Sequence, residues 1–503
     1  MSKMLLPKSL LLSCATEVKQ IAARENNATT YVNCHIEAPT CDDTERQPID
    51  LVIVLDKSAS MAEMEKLDLC KTTLTFLARE LSANDRVSLV VYDSDVTTIL
   101  PLTLMTHDGK TLFEKRVRAI QAGTCTNLSG GLFAGLDEIR RPERSDGGSP
   151  NPIRSVLLLT DGLANYGVVK SLPLLSILES CYSDAPHTAK DYEAPTSSAR
   201  AEQQSPVSLF TFGYGDNHDA KLLRSISDFG RGTYYFVQSA DAVSVAFADC
   251  LGGLLSVVAQ NIQLEVLVAS PGVRILDINT KRPQRVEVPG LHYVVELGDL
   301  YSEELRDLLV HVQTTASVDT DQQYLVEFRL RYVNVLTSRI ETTATMSAIA
   351  RPSVVTDTSV CLAVTRQKHR LETADAMDAA QREADDGHLD LGQARLAALS
   401  EKLQRAFADL GLDATVGQEK ILLEDLRDCQ EAMKTLAVYR SRGQFRLTNR
   451  AQTHHTQRSN DTETSWVDIK TEDSFCSEDS GTYRNETKRR VMARALDMTK
   501  KDT

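Results

Sequence analysis

The chain has 503 residues, 42% hydrophobic and 25% charged, a balance that supports packed cores and excludes collagen-like or wholly disordered classes. Its formal charge of -14 and the lack of any long Lys/Arg run argue against nucleic acid and anionic membrane as partners, because counterion release needs clustered cations. No stretch approaches the roughly eighteen uninterrupted apolar residues of a membrane span. The length predicts roughly two to four domains.

At the N-terminus, "MSKMLLPKSLLLSCATE" has the outline of a secretory signal, but Pro7 and Lys8 break its apolar run and no small-residue cleavage site follows. The ten cysteines include no CxxC pair and no Cys/His spacing suited to zinc. Reduced thiols and a cytoplasmic location are the expectation, which makes the glycosylation patterns at Asn27, Asn127, Asn460 and Asn485 chance matches. "TYVNCHIEAP", residues 30–39, alternates apolar and polar residues as a strand with one wet face does.

From about residue 50 to 260, the near-continuous apolar runs "DLVIVLD", "RVSLVVYDSD", "RSVLLLTDG" and "VSLFTFGYGD" read as strands covered on both faces. Between them lie the amphipathic stretches "EMEKLDLCKTTLTFLAREL", "KTLFEKRVRAI", "TNLSGGLFAGLDEIRR" and "HDAKLLRSISDF". Strand then helix, repeated, predicts an α/β fold with a doubly wound, mainly parallel sheet. Residues 181–206, rich in Pro, Ser and Ala without periodicity, read as a long surface loop.

From about 260 to 352 the pattern turns to alternating strands without helices, the mark of an antiparallel sandwich. The same alternation at 30–39 implies that the N-terminal segment pairs with this sandwich and that the α/β domain is inserted into it. Residues 358–440 turn helical, with Leu396, Leu399, Leu403, Phe407 and Leu410 on one face, and Leu426, Cys429, Met433 and Leu436 on a second helix. Breaks are expected near Gly387 and around Gly411 to Gly417. The expected domains are therefore 1–47 (strands joining the sandwich), 48–258 (α/β), 259–354 (β-sandwich), 355–442 (helical hairpin or bundle) and 443–503 (polar, loosely ordered tail).

Ligands of an open parallel sheet gather where its strands end. Three such places carry oxygen side chains: "LDKSAS" after the first strand, "AGTCTNLSGG" before a helix, and "LLLTDG" at the end of a central strand. Asp56, Ser58 and Ser60 alternate as in a tight loop that turns their oxygens to one point, and Thr126 and Asp161 come from neighbouring strand ends. Completed by water, this set suits Mg²⁺, Mn²⁺ or Ca²⁺ rather than zinc or copper. The competing readings are a helix N-cap at Asp56 to Ser60, a serine nucleophile served by His218, and a phosphate cradle at "LSGGLFAGL". No GxSxG elbow surrounds either serine, and the glycine run lacks the GxxxxGK[ST] spacing. "DNHD" at 216–219 reads as a helix start capped by Asp216 or Asn217.

"DLVIVLDKSASM" resembles the DxSxS motif of the von Willebrand factor type A (vWA) domain, "CTNLSGGL" its threonine motif, and "LLLTDG" its second aspartate motif. The resemblance spans about 50 to 250 and implies a metal-ion-dependent adhesion site at Asp56, Ser58, Ser60, Thr126 and Asp161, with Asp161 often acting through water. Thr124 also lies near the expected threonine, but "TNLSGGL" aligns Thr126 directly, and Lys57 introduces a cation into the first motif. Residues 211–266 are similar to the branch in which this domain is joined to a β-sandwich and a helical vWA-interacting region.

The resemblance implies a non-enzymatic, cation-dependent protein-interaction scaffold, its Mg²⁺ (or Mn²⁺ or Ca²⁺) completed by an Asp or Glu of a protein partner. One alternative is a substrate-recruiting component of ubiquitin transfer acting with a ligase partner, since plant RING-type ligases of the root-growth group share related architecture, although this chain lacks the RING cysteines. Another is a secreted matrix protein similar to the heavy chains of inter-alpha-trypsin inhibitor. Two further motifs, "THHTQR" at 453–458 and "KRRVMAR" at 488–494, read as solvated polar segments beside the sharper readings of a metal contribution and a patch for acidic partners.

Overall fold

The computed structural model describes residues 8–41, 45–141, 147–183, 207–238, 240–459 and 483–499. The chain divides into two compact units, one of residues up to 45, 257–459 and 483–485, and one of 46–256 and 486–499.

The second of these is the α/β unit. Its strands are β3 (Ile49–Asp56), β4 (Arg86–Tyr92), β5 (Val96–Leu104), β6 (Ile153–Thr160), β7 (Val207–Tyr214) and β8 (Arg231–Val237), in sheet order β5-β4-β3-β6-β7-β8. Every residue of β3, β4, β6 and β7 is buried, which is why these segments are written as unbroken apolar runs. Pairing is parallel throughout except for β5, an antiparallel edge strand. Pro101 sits in β5, an edge being where a residue without an N–H is tolerated.

Helices α1 (Lys66–Glu80), α2 (His107–Arg118), α3 (Leu128–Arg140), α4 (Ser171–Ser183), α5 (Ala220–Phe229) and α6 (Ala240–Leu254) connect or cover the strands. Gly131 and Gly135 explain the glycine run of α3: a Cβ at either would come within 2.4 Å of the Tyr92 ring or of Val54, so the helix lies directly on the sheet. Helix α4 reaches Ser183, three residues into the segment expected to be loop; the rest, 184–206, lies outside the described residues.

The unit that flanks this insertion begins with β1 (Leu11–Thr16) and β2 (Ala28–Glu37), and resumes with β9 (Val257–Val268), β10 (Val273–Asn279), β11 (Gln284–Val288), β12 (His292–Tyr301), β13 (Leu305–Thr314), β14 (Thr320–Asn334) and β15 (Arg339–Arg351). Two antiparallel sheets result, β1-β2-β13-β10 and β11-β12-β9-β14-β15. They share a core in which Val32, Ile36 and Val310 of one meet Leu264, Val266 and Phe328 of the other. β2 pairs with β13 along its whole length, so the α/β unit is inserted between β2 and β9 of a sandwich.

The same unit carries helices α7 (Leu362–Asp385), α8 (Leu389–Asp409), α9 (Gly417–Ala432), the short turn α10 (Leu436–Val438) and α11 (Gln444–Thr456). Leu396, Leu403 and Phe407 of α8 meet Leu422, Leu426 and Cys429 of α9 in a shared core. Gly387, Gly411 and Gly417 all have positive φ at the helix breaks, where a β-carbon would be strained. Leu436 departs from expectation: α9 ends at Ala432, so this residue leaves the apolar face and is exposed.

The segment from 443 on, expected to be a polar, loosely ordered tail, opens instead with α11. Its polar side chains find partners inside the unit. His454 Nε2 meets Asp425 Oδ2 at 2.9 Å, and Arg458 Nε donates to Glu304 Oε1 at 2.9 Å beneath the Tyr301 ring. Composition registers the polarity of "THHTQR" but not the pairing that buries it. Residues 460–482 lie outside the described residues. Helix α12 (Glu486–Thr499) returns to the α/β unit, where Lys488 of "KRRVMAR" is buried against Asp249 at 2.8 Å and Arg494 meets Glu80 at 2.9 Å.

Candidate metal centre

The sheet order reverses at β3: the chain runs outward through β4 and β5, then crosses back to place β6 on the other side of β3. The crevice beyond the carboxyl ends of β3 and β6 is thus the switch point where open α/β sheets bind ligands. Asp56 is the last residue of β3, and Asp161 follows the last residue of β6.

Both Asp56 oxygens are held. Oδ1 accepts from the Ser58 amide at 2.8 Å and Oδ2 from Thr160 Oγ1 at 2.7 Å. Burial pushes the Asp56 carboxyl up to about 6, against the opposing effect of those hydrogen bonds. Ser58 stands at the N-cap position of the 3₁₀ turn Ala59–Glu65, but its side chain makes no capping hydrogen bond. Its hydroxyl instead lies 3.2 Å from Ser60 Oγ, which donates to Asp161 Oδ1 at 2.7 Å. Ser60 therefore faces a carboxylate across the crevice, and Ser58 lies beside Ser60 rather than capping the amides of the helical turn.

Thr126 is buried in the loop before α3 and fixed through its backbone: its N–H donates to Asn165 Oδ1 at 2.8 Å, and its carbonyl accepts from the Asn165 and Tyr166 amides at 3.2 and 3.3 Å. A Cβ on Gly162 would lie 3.6 Å from Thr126 Oγ1 and 3.7 Å from Ser60 Oγ, so both hydroxyls border the glycine that follows Asp161. Thr124 is exposed and its hydroxyl meets Ser94 Oγ at 2.6 Å. Its carbonyl accepts from the Ala59 amide at 3.0 Å, tying the threonine loop to the serine loop.

Lys57 turns away from these oxygens and pairs with Asp93 after β4. Burial works against the Asp93 carboxylate, but Lys57 and backbone amides outweigh it and hold its pKa below the ordinary value. A cation that does reach the oxygen cluster is Lys66 at the start of α1, whose Nζ donates to Asp161 Oδ2 at 2.7 Å. Asp161 is thus paired with an ammonium while Asp56, equally buried, is held by a hydroxyl and an amide, and two carboxylates among hydroxyls in this crevice fit a hard divalent cation. Such an ion would be held by Ser58, Ser60 and Thr126, with Asp56 and Asp161 supplying charge.

Residues 50–248 match the family model of the von Willebrand factor type A domain. This stretch is a vWA domain. The wider chain shares its fold with two solved structures: von Willebrand factor type A from Catenulispora acidiphila (TM-score 0.58, 14% identity, 84% of this chain and 89% of that one) and the ArnB paralog VWA2 from Sulfolobus acidocaldarius (TM-score 0.53, 13% identity, 88% and 98%). Among curated proteins, "E3 ubiquitin-protein ligase WAV3" of Arabidopsis thaliana is 27% identical over 330 residues, covering 64% of this chain and 39% of that protein. The chain therefore spans about two fifths of that relative's length.

The alternative chemistries at the vWA crevice lack support in the geometry. His218 is buried, its Nε2 meets Tyr234 Oη at 2.7 Å, and burial drives its pKa down to about 3, so it stays neutral. The cap of α5 is Asp219, whose carboxylate accepts from the Leu222 amide at 2.9 Å, rather than Asp216 or Asn217. Thr160, Asn165, Asp93 and Lys66 are the contributors that sequence reasoning missed. Thr160 had a signal, being the hydroxyl directly before Asp161 in "LLLTDG"; the others depend on contacts from separate loops.

Proposed function

We propose that the vWA domain is a divalent-cation-dependent protein-interaction module. Mg²⁺, or Mn²⁺ or Ca²⁺ in its place, is held by Asp56, Ser58, Ser60, Thr126 and Asp161, and a partner's Asp or Glu completes its shell. The observation that carries this reading is the convergence of Ser58, Ser60 and Asp161 oxygens across the switch point, with the Ser58 hydroxyl spared from capping. An oxygen set with few charges leaves a bound cation electrophilic, so an incoming carboxylate is a favourable further ligand. A vWA domain itself points to a protein partner.

The test is capture of partners by the full chain with and without Mg²⁺, using wild type beside Asp56→Ala. Metal-dependent capture lost in the variant is expected, and binding unchanged in EDTA would sink the metal bridge. The likeness to WAV3 supports a second reading, in which the captured protein is handed to a ubiquitin ligase acting in trans. Recovery of a stable ligase in the same capture favours it.

A further inference from the structure

We propose that Asp375, Asp378 and His455 form a second metal site, for a divalent transition cation of the zinc class, bridging α7 and α11. The proposal is independent of the crevice in the vWA domain. Asp375 and Asp378 are three residues apart on α7 and so share a helix face. His455 reaches them from α11, its Nε2 3.0 Å from Asp378 Oδ2 and 3.8 Å from Asp375 Oδ1. One ligand atom from each of the three lies within 4.8 Å of the others. Bonds of about 2.0–2.2 Å to a tetrahedral ion place neighbouring donors roughly 3.3–3.6 Å apart, so small side-chain adjustments close the shell.

The surroundings suit a site with one open position. The His455 side chain is 4% exposed and Asp378 14%, whereas Asp375 is 56% exposed, leaving a solvent side from which water supplies the fourth ligand. Lys281 stands 3.6 Å from Asp375, but both are more than half exposed, so this ion pair is weak and easily displaced. The adjacent histidine shows the contrast. His454, rotated by about 100° around the helix, meets Asp425, which Arg450 also engages at 3.2 Å; that carboxylate has its guanidinium, and the group is structural. The imidazole nitrogen distinguishes the α7–α11 set from the all-oxygen crevice and selects a borderline metal over Mg²⁺. Bound there, the ion ties α7 to α11 and stabilises only the folded chain.

The experiment titrates Zn²⁺ and Co²⁺ into the metal-stripped full chain in excess Mg²⁺, comparing wild type with His455→Gln and Asp378→Asn. Glutamine keeps a donor for Asp378 and removes the metal ligand. Wild type is expected to bind one equivalent, to give visible Co²⁺ bands of nitrogen/oxygen ligation without thiolate charge transfer, and to melt higher with Zn²⁺. Each variant should retain the metal-free melting behaviour, bind at least about 10-fold more weakly, and lose the Zn²⁺-dependent rise. Undiminished binding in either variant, or a thiolate spectrum in wild type, would overturn the site.

Discussion

Lys66 Nζ lies 2.7 Å from Asp161 Oδ2, with the carboxylate side chain fully buried and that of the lysine 11% exposed. This ammonium occupies one oxygen of the carboxylate whose other oxygen accepts from Ser60. A cation entering the vWA crevice therefore meets a carboxylate already partly neutralised.

Replacing Lys66 by Met should separate the two consequences of that pair. The metal-free protein should lose about 3 kcal/mol of stability, because the buried Asp161 charge is left without its partner. Affinity for Mg²⁺ or Mn²⁺ should rise several-fold, because the ion no longer competes with the ammonium. Denaturant unfolding without metal and calorimetric titration with it read the two effects independently.

Asp56 gives a pH signature with a definite sign. Its folded-state value of about 6 lies above the ordinary 3.8, so its contribution to stability in the absence of metal is fully present below about pH 4 and is lost as pH rises through about 6. That elevation corresponds to roughly 3 kcal/mol. Asp56→Asn should flatten this part of the stability profile, be no less stable than wild type at pH 7 without metal, and fail to bind the ion. A profile unchanged by the substitution would contradict the burial argument.

The two threonines of "GTCTN" should behave differently. Thr126→Ala removes a hydroxyl bordering the crevice and should abolish divalent-ion binding, whereas Thr124→Ala breaks only the hydrogen bond to Ser94 and should leave it intact. Lys57→Met belongs with Thr124: it frees Asp93 from its ion pair but should leave ion affinity within about two-fold, as expected for a charge turned away from the site. Reversal of the threonine result would reassign the ligand.

Arg458 tests the folded character of the segment after α11. It is buried with its guanidinium 4.0 Å from the Tyr301 ring centroid and engages Glu304, a carboxyl whose burial is outweighed by Arg306 and Arg458, so that its pKa stays below the usual value. Arg458→Ala should cost about 3–5 kcal/mol in denaturant unfolding of the full chain. A loss under about 1 kcal/mol would mean that the segment is not anchored there.

The parts of this protein readable in its sequence are those with a period or an ordered set of motifs. Continuous apolar runs marked β3, β4, β6 and β7, alternation marked β2 and the sandwich, and the order of "DKSAS", "CTNLSGG" and "TDG" brought the oxygen residues to one sheet edge. What stayed hidden depends on pairing across long separations. Sequence alone gives Lys57 no role because its partner, Asp93, is on another loop, and Lys66 reads only as part of an amphipathic stretch. Pro101 hides β5 from a strand pattern, and polar composition hides α11 and the residues just after it, whose partners lie on α7, on α9 and between β12 and β13.

The central claim is a divalent ion held by the crevice oxygens of the vWA domain. Titrating Mn²⁺ into the metal-stripped full chain, with the free ion followed by electron paramagnetic resonance, tests it most directly when Mg²⁺ competes and wild type is compared with the Ser58→Ala/Thr126→Ala variant. One Mn²⁺ displaced by Mg²⁺ in wild type and absent from the folded variant is the predicted result. Equal Mn²⁺ binding by both proteins, or none by wild type, would contradict it.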